Sequence, residues 1–113
     1  MTAPDKDSEE RLESLSDLTE QAHARVQQAH GEINPVVELR RGMRDAGIPA
    51  DALSIDCLRT CRRILLILHD SHPDALLYQF TDLEQEAGDS FQQLAFDQVT
   101  VDTLFEWMRD YFA

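Results

Sequence analysis

Two cysteines, Cys57 and Cys61, stand four residues apart in IDCLRTCRRILLILHD (55–70), beside Arg59, Arg62, Arg63 and His69. On a helix that spacing puts both thiols on one face, the beginning of a thiolate metal site or a redox pair with His69 or His72 near by. Zinc, however, needs about four converging ligands, and its structural sites use short Cys-x-x-Cys knuckles. A helical wheel places Cys57, Leu58, Cys61, Ile64, Leu65 and Leu68 within roughly 120° of one another. The thiols then lie on an apolar stripe and are expected to pack as small hydrophobes. Neither a metal nor a cofactor is expected.

The other chemically capable side chains lead in the same direction. His23 and His30 are two turns apart on one helical side, and His69 and His72 flank a turn before Pro73. None has an aligned acid–base partner in the sequence, as proton transfer would require. Asp82, Glu86 and Asp89 share a polar helical face, without the Glu-x-x-His pattern of a carboxylate metal site. There is no Gly-x-Ser-x-Gly elbow and no glycine-rich phosphate loop. The chain is expected not to be an enzyme. Two arginine clusters remain: Arg40, Arg41 and Arg44, and Arg59, Arg62 and Arg63. They either balance acids within the domain or, since planar guanidinium forks suit carboxylates and phosphates, form a contact patch.

Helices are the elements the periodicity offers to position these groups. Leu12, Leu15, Ala22, Val26 and Ala29 recur at three- and four-residue steps, with Thr19 in the remaining slot, a weak heptad seam suited to the body of the domain or to self-association. Asn34 and Pro35 open a second predicted helix that stops at Gly47. A third is predicted up to Asp70, and Pro73 opens a fourth, which Gly88 either breaks or weakens. Thr100 caps the last, whose stripe is Val101, Leu104, Phe105, Met108 and Phe112. A β-hairpin of RILLIL and ALLYQF is the rival reading, ranked second because leucine dominates both runs. The expected fold is an all-α, single-domain bundle of about five helices over 8–113, behind a disordered polar tail at 1–7.

Charge narrows the class of partner. The net charge is −12, with one lysine, so the phosphate neutralisation that nucleic-acid binding demands is missing. Residues 64–113 hold ten acids against Arg109 alone, whereas 21–63 hold seven arginines against five acids. Neither nucleic acid nor a membrane is expected as a partner; another protein, one with a basic surface, fits better. The first twenty residues lack a basic start followed by an apolar stretch, and two cysteines suit a reducing compartment, so a cytoplasmic location is the expectation.

SHPDALLY is similar, over these few residues, to the His-Pro turn and tyrosine-bearing short helix of colicin-nuclease immunity proteins. It has a single tyrosine there, Tyr78, and lacks the glycine and serine that follow the proline in that family.

The resulting expectation is a non-catalytic adaptor or regulatory domain that binds another protein. Trp107 and Tyr111, surplus to the last helix's stripe and rimmed by Glu106 and Asp110, are the expected contact site, because aromatic side chains concentrate binding energy. Leu12 and Leu15 of the first helix and Arg59, Arg62 and Arg63 are the further candidates, and a homodimer through the first helix is an option. The alternative is an acidic inhibitor or DNA-mimic, an immunity-type protein that occupies a basic groove of its target.

Overall fold

A computed structural model describes residues 6–84 and 91–112. It contains α1 (Lys6–Ala29), β1 (Val36–Arg40), a single helical turn α2 (Gly42–Asp45), β2 (Ala50–Cys57), β3 (Arg62–His69), β4 (Ala75–Asp82) and β5 (Gln92–Ala95). A 3-10 turn (Phe96–Gln98) then leads into α3 (Val101–Phe112). The strands form one antiparallel sheet in the order β1-β2-β3-β4-β5, each paired with its neighbour in sequence. This mixed α/β fold corrects the expectation of an all-α helical bundle: only the first and last predicted helices form as such. The stretch after Asn34 becomes β1 and α2, 55–70 becomes most of the β2–β3 hairpin, and the predicted fourth helix becomes β4 and β5. Gly88 lies outside the described residues.

The hairpin ranked second is present, with Ile64↔Phe80, Leu66↔Tyr78 and their neighbours in register. Leucine-rich runs form strands here because both surfaces of the sheet near its centre are half-buried or better. Ile64, Leu66 and Leu68 are buried on the helix side, while Leu65 and Ile67 are half-buried on the opposite face. An apolar run of this kind carries no period of its own, and its pairing partners decide its conformation.

Both long helices lie on one face of the sheet. Leu12, Leu15, Ala22 and Val26 of α1 and Leu104, Phe105, Met108 and Phe112 of α3 share a core with Leu53, Ile55, Cys57, Ile64, Leu66, Leu68 and Leu76. The α1 seam is thus used inside the domain. Thr19, its polar member, is buried and donates its hydroxyl hydrogen to the Leu15 carbonyl four residues back, 2.7 Å away. At the start of α3, the Thr100 hydroxyl accepts from the Thr103 amide at 3.1 Å, the cap read from the sequence.

Candidate interaction surface

The flank of the sheet under α3 is sealed by aromatic side chains. The Trp107 ring lies 4.5 Å from Tyr78 and 5.6 Å from Phe80, and Tyr111 lies 5.0 Å from Phe80, centroid to centroid. The Tyr111 hydroxyl donates to the Thr81 carbonyl at 2.9 Å. Burial, with Asp82 assisting and Arg62 opposing, pushes the phenol pKa above its ordinary value. Glu106 is exposed, and Asp110 is turned to its neighbour Arg109, which bonds it at 2.8 Å. The exposed Asp110–Arg109 pair holds the carboxyl below its usual range.

The arginines of the opening stretch belong to the same flank. Arg59 donates to the Phe112 carbonyl at 2.9 Å and Arg62 to the Tyr111 carbonyl at 2.6 Å. The last carbonyls of a helix have no partner within it and carry the negative end of its dipole, so two guanidinium groups from the β2–β3 hairpin suit α3's C-terminus. Arg63 makes two bonds to Asp56, at 2.7 and 3.0 Å, directly opposite it in the β2–β3 register. The cysteines separate. Cys57 is buried on the helix side of β2, whereas Cys61 is exposed in the hairpin turn with φ of 56°. The expectation that both thiols share one apolar stripe is therefore corrected: the turn between them places only Cys57 in the core.

A buried charged cluster went unrecognised in the sequence. Arg44 is 4% exposed and Asp51 1%; Arg44 reaches Asp51 at 2.9 and 3.0 Å and Asp70 at 2.9 and 3.1 Å. Arg41 adds contacts to Glu9 at 2.8 Å and to Asp51 at 3.6 Å, and Arg11 approaches Asp70 at 3.9 Å. The two carboxylates hold the Arg44 guanidinium pKa above its ordinary value. Gly47, at φ of 88°, supplies the left-handed residue that turns the chain from α2 into β2 and brings Arg44 over Asp51. The only sequence signal was an arginine and an aspartate on either side of a Gly-x-Pro turn. This cluster pins α1, α2, β2 and the end of β3 together.

The opposite flank is different. β1 pairs with β2 on one side and has no strand on the other among the described residues. Val36 is 50% exposed, Val37 39% and Leu39 47%. By register, Val37 and Leu39 stand opposite Ile55 and Leu53 on the helix face, yet α1 does not cover them. What α1 presents there is short or polar: Ser16, Glu20 and His23 line, with Val37, Leu39 and Leu53, a groove of about 560 Å³. A second depression of about 440 Å³ shares Ser16 and Leu39 and is bounded by Glu9, Glu13, Asp17 and Arg41. The floor of the pair is apolar and the α1 wall is acidic. The His23 ring donates from Nε2 to the Pro35 carbonyl at 2.6 Å, fixing the entry of β1 beside α1.

Chemically, this flank offers the outward backbone groups of β1, which have no strand partner among the described residues, with apolar side chains and carboxylates. Those are the elements of strand pairing and contact burial. Among the described residues no group of three or more His, Cys, Asp or Glu is placed to hold a metal ion. The signal for β1 is the Val37-Glu38-Leu39-Arg40 alternation, the period of a half-buried strand, inside a stretch whose Asn34-Pro35 start and Gly47 stop also suit a helix.

Set beside known proteins, the chain finds no match among family models, curated proteins or solved structures. The fold and surface by themselves define a two-layer α/β domain with an apolar sheet edge that the described residues leave uncovered.

Proposed function

We propose that this chain is a non-catalytic protein-binding domain, of adaptor or regulatory kind, whose contact surface is the α1–β1 flank. The observation that carries the proposal is the exposure of Val36, Val37 and Leu39 on a strand with a free edge. Natural proteins usually blunt such edges with lysine, proline or a covering element, because a free edge recruits other chains. Here Glu38 and Arg40 pair with each other at 3.2 Å, and neither shields the helix-side groove. A cytoplasmic setting is part of the proposal. No helix among the described residues is long and apolar enough to cross a membrane.

The alternative, an acidic inhibitor or DNA-mimic using the carboxylates of 64–113, draws less support. Several of these are engaged: Asp70 in the buried cluster, Asp102 with Arg25, and Asp110 with Arg109.

Site-specific photo-crosslinking tests the proposal. A benzophenone side chain would be placed at Val37, at Leu39 or, as a control on the exposed side of α3, at Glu106, in cells that naturally express the protein. Defined protein adducts from positions 37 and 39, but not from 106, are expected. Adducts confined to position 106, or none from 37 and 39, would overturn it.

A further inference from the structure

The flank defined above also bears on the kind of partner, an inference that rests on the proposed function and narrows it. Glu13, Asp17 and Glu20 succeed one another at four- and three-residue steps, on one side of α1, along the wall of the two depressions. Like charges at this spacing repel one another on a helix. Glu9, the next member of the row, is already matched by Arg41. The row therefore favours an occupant that brings positive charge, while the floor of Val37, Leu39 and Leu53 requires apolar side chains.

The free edge supplies the third condition. A strand laid beside β1 would take up its outward amide and carbonyl groups, and side chains of an added strand alternate between the faces of the sheet. Those directed to the helix side would enter the groove; a lysine or arginine among them has a stem long enough to lie on Leu39 with its head at the α1 carboxylates. A second copy of this chain is a poorer occupant. Two antiparallel β1 strands centred on Glu38 place two glutamates directly opposite, which is unfavourable, and would face one acidic α1 wall with another.

We infer that the α1–β1 flank accepts an extended segment of another protein, with apolar residues at alternate positions and lysine or arginine among them, as a sixth strand on β1.

Three peptides of twelve residues serve as probes against the full chain: one alternating valine and threonine with three lysines, one with glutamate replacing each lysine, and one with proline at alternate positions. Amide-detected NMR titration with hydrogen exchange reads both the location and the mode of binding. The basic peptide should shift resonances of α1 and β1 and slow exchange of β1 amides. The acidic and proline peptides should bind at least tenfold more weakly. Affinity for the basic peptide should fall at least fivefold in Glu13→Gln/Asp17→Asn/Glu20→Gln, whose changes are on the helix surface, and in Leu39→Lys.

Shifts in α1 and β1 without slowed β1 exchange would overturn strand addition while leaving the flank as a contact surface. Equal binding of the acidic peptide would overturn the charge requirement. Shifts confined to other surfaces would overturn both this inference and the proposed function. Failure of the basic peptide to bind at millimolar concentration would overturn the inference alone. A dimer in sedimentation that is lost in Leu39→Lys would identify a second copy as the occupant and overturn the inference as well.

Discussion

The two flanks of the sheet are built to the same plan, a helix lying over paired strands, and differ in what the helix contributes. On the α3 flank, Trp107 and Tyr111 fill the space above Tyr78 and Phe80, and the C-terminal carbonyls are met by Arg59 and Arg62. On the α1 flank, the corresponding volume is left to Ser16, Glu20 and His23, so Val37 and Leu39 stay open. The contrast shows that side-chain volume at a few helix positions decides whether a sheet edge becomes core or contact surface. Trp107 and Tyr111, which in a sequence suggest a binding site, are half-buried here and pack against Tyr78 and Phe80, while Val36, Val37 and Leu39 stand exposed on an inconspicuous five-residue strand.

Substitutions on each flank should have different effects. The largest effect is expected from the charged cluster that anchors the end of the α1 flank. Arg44→Leu would take from the buried Asp51 its two hydrogen bonds, leaving the Arg41 guanidinium at 3.6 Å, and stability should fall by about 3 kcal/mol in urea unfolding. A loss under about 1 kcal/mol would show that the cluster does not hold α2 to β2. Next is Trp107→Ala, which removes the ring between Tyr78 and Phe80 and should cost about 3 kcal/mol. A near-neutral result would return Trp107 to the contact surface.

A smaller effect should appear with pH. The Tyr111 phenol is held above its ordinary value of 10.0, so the folded state keeps its proton where the unfolded chain has released it. Its contribution is complete below pH 10 and is lost as pH rises through the folded-state pKa. Urea unfolding between pH 9 and pH 11 should therefore show a fall in stability that is reduced in Tyr111→Phe; an identical fall in both proteins would exclude Tyr111 as its source. The smallest effect is expected on the other flank. Val37→Thr and Leu39→Thr leave a strand backbone intact and remove exposed apolar groups, so each should change stability by no more than about 0.5 kcal/mol.

Much of the helical part was legible in the sequence, and little of the sheet. α1 and α3 are amphipathic over three or more turns, with a cap at Thr100, and a period of 3.6 is unambiguous over such lengths. The strands carried weaker signals. LSIDC alternates Leu53, Ile55 and Cys57 with Ser54 and Asp56, the period of two that β2 adopts, but the adjoining RILLIL has no period, and the leucines drew the whole segment towards a helix. A helix through Cys57 and Cys61 would gather Arg59, Arg62 and Arg63 on one basic face. The turn at 58–61 instead sends Arg59 and Arg62 to α3 and Arg63 to Asp56. The groove was not readable at all, because exposure of Val37 and Leu39 depends on where α1 ends up relative to β1, a matter of tertiary packing.

If the α1–β1 flank binds a partner while the α3 flank packs, Leu39→Lys should separate folding from binding when both are measured on the same protein. The side chain is 47% exposed and stands on the groove floor. The variant's unfolding free energy in urea should stay within about 0.5 kcal/mol of the parent's, and the adducts formed from a crosslinker at Val37 should be lost. Retained adducts at undiminished yield, or a stability loss of about 2 kcal/mol or more of the kind that follows placing a charge in a packed interior, would contradict it.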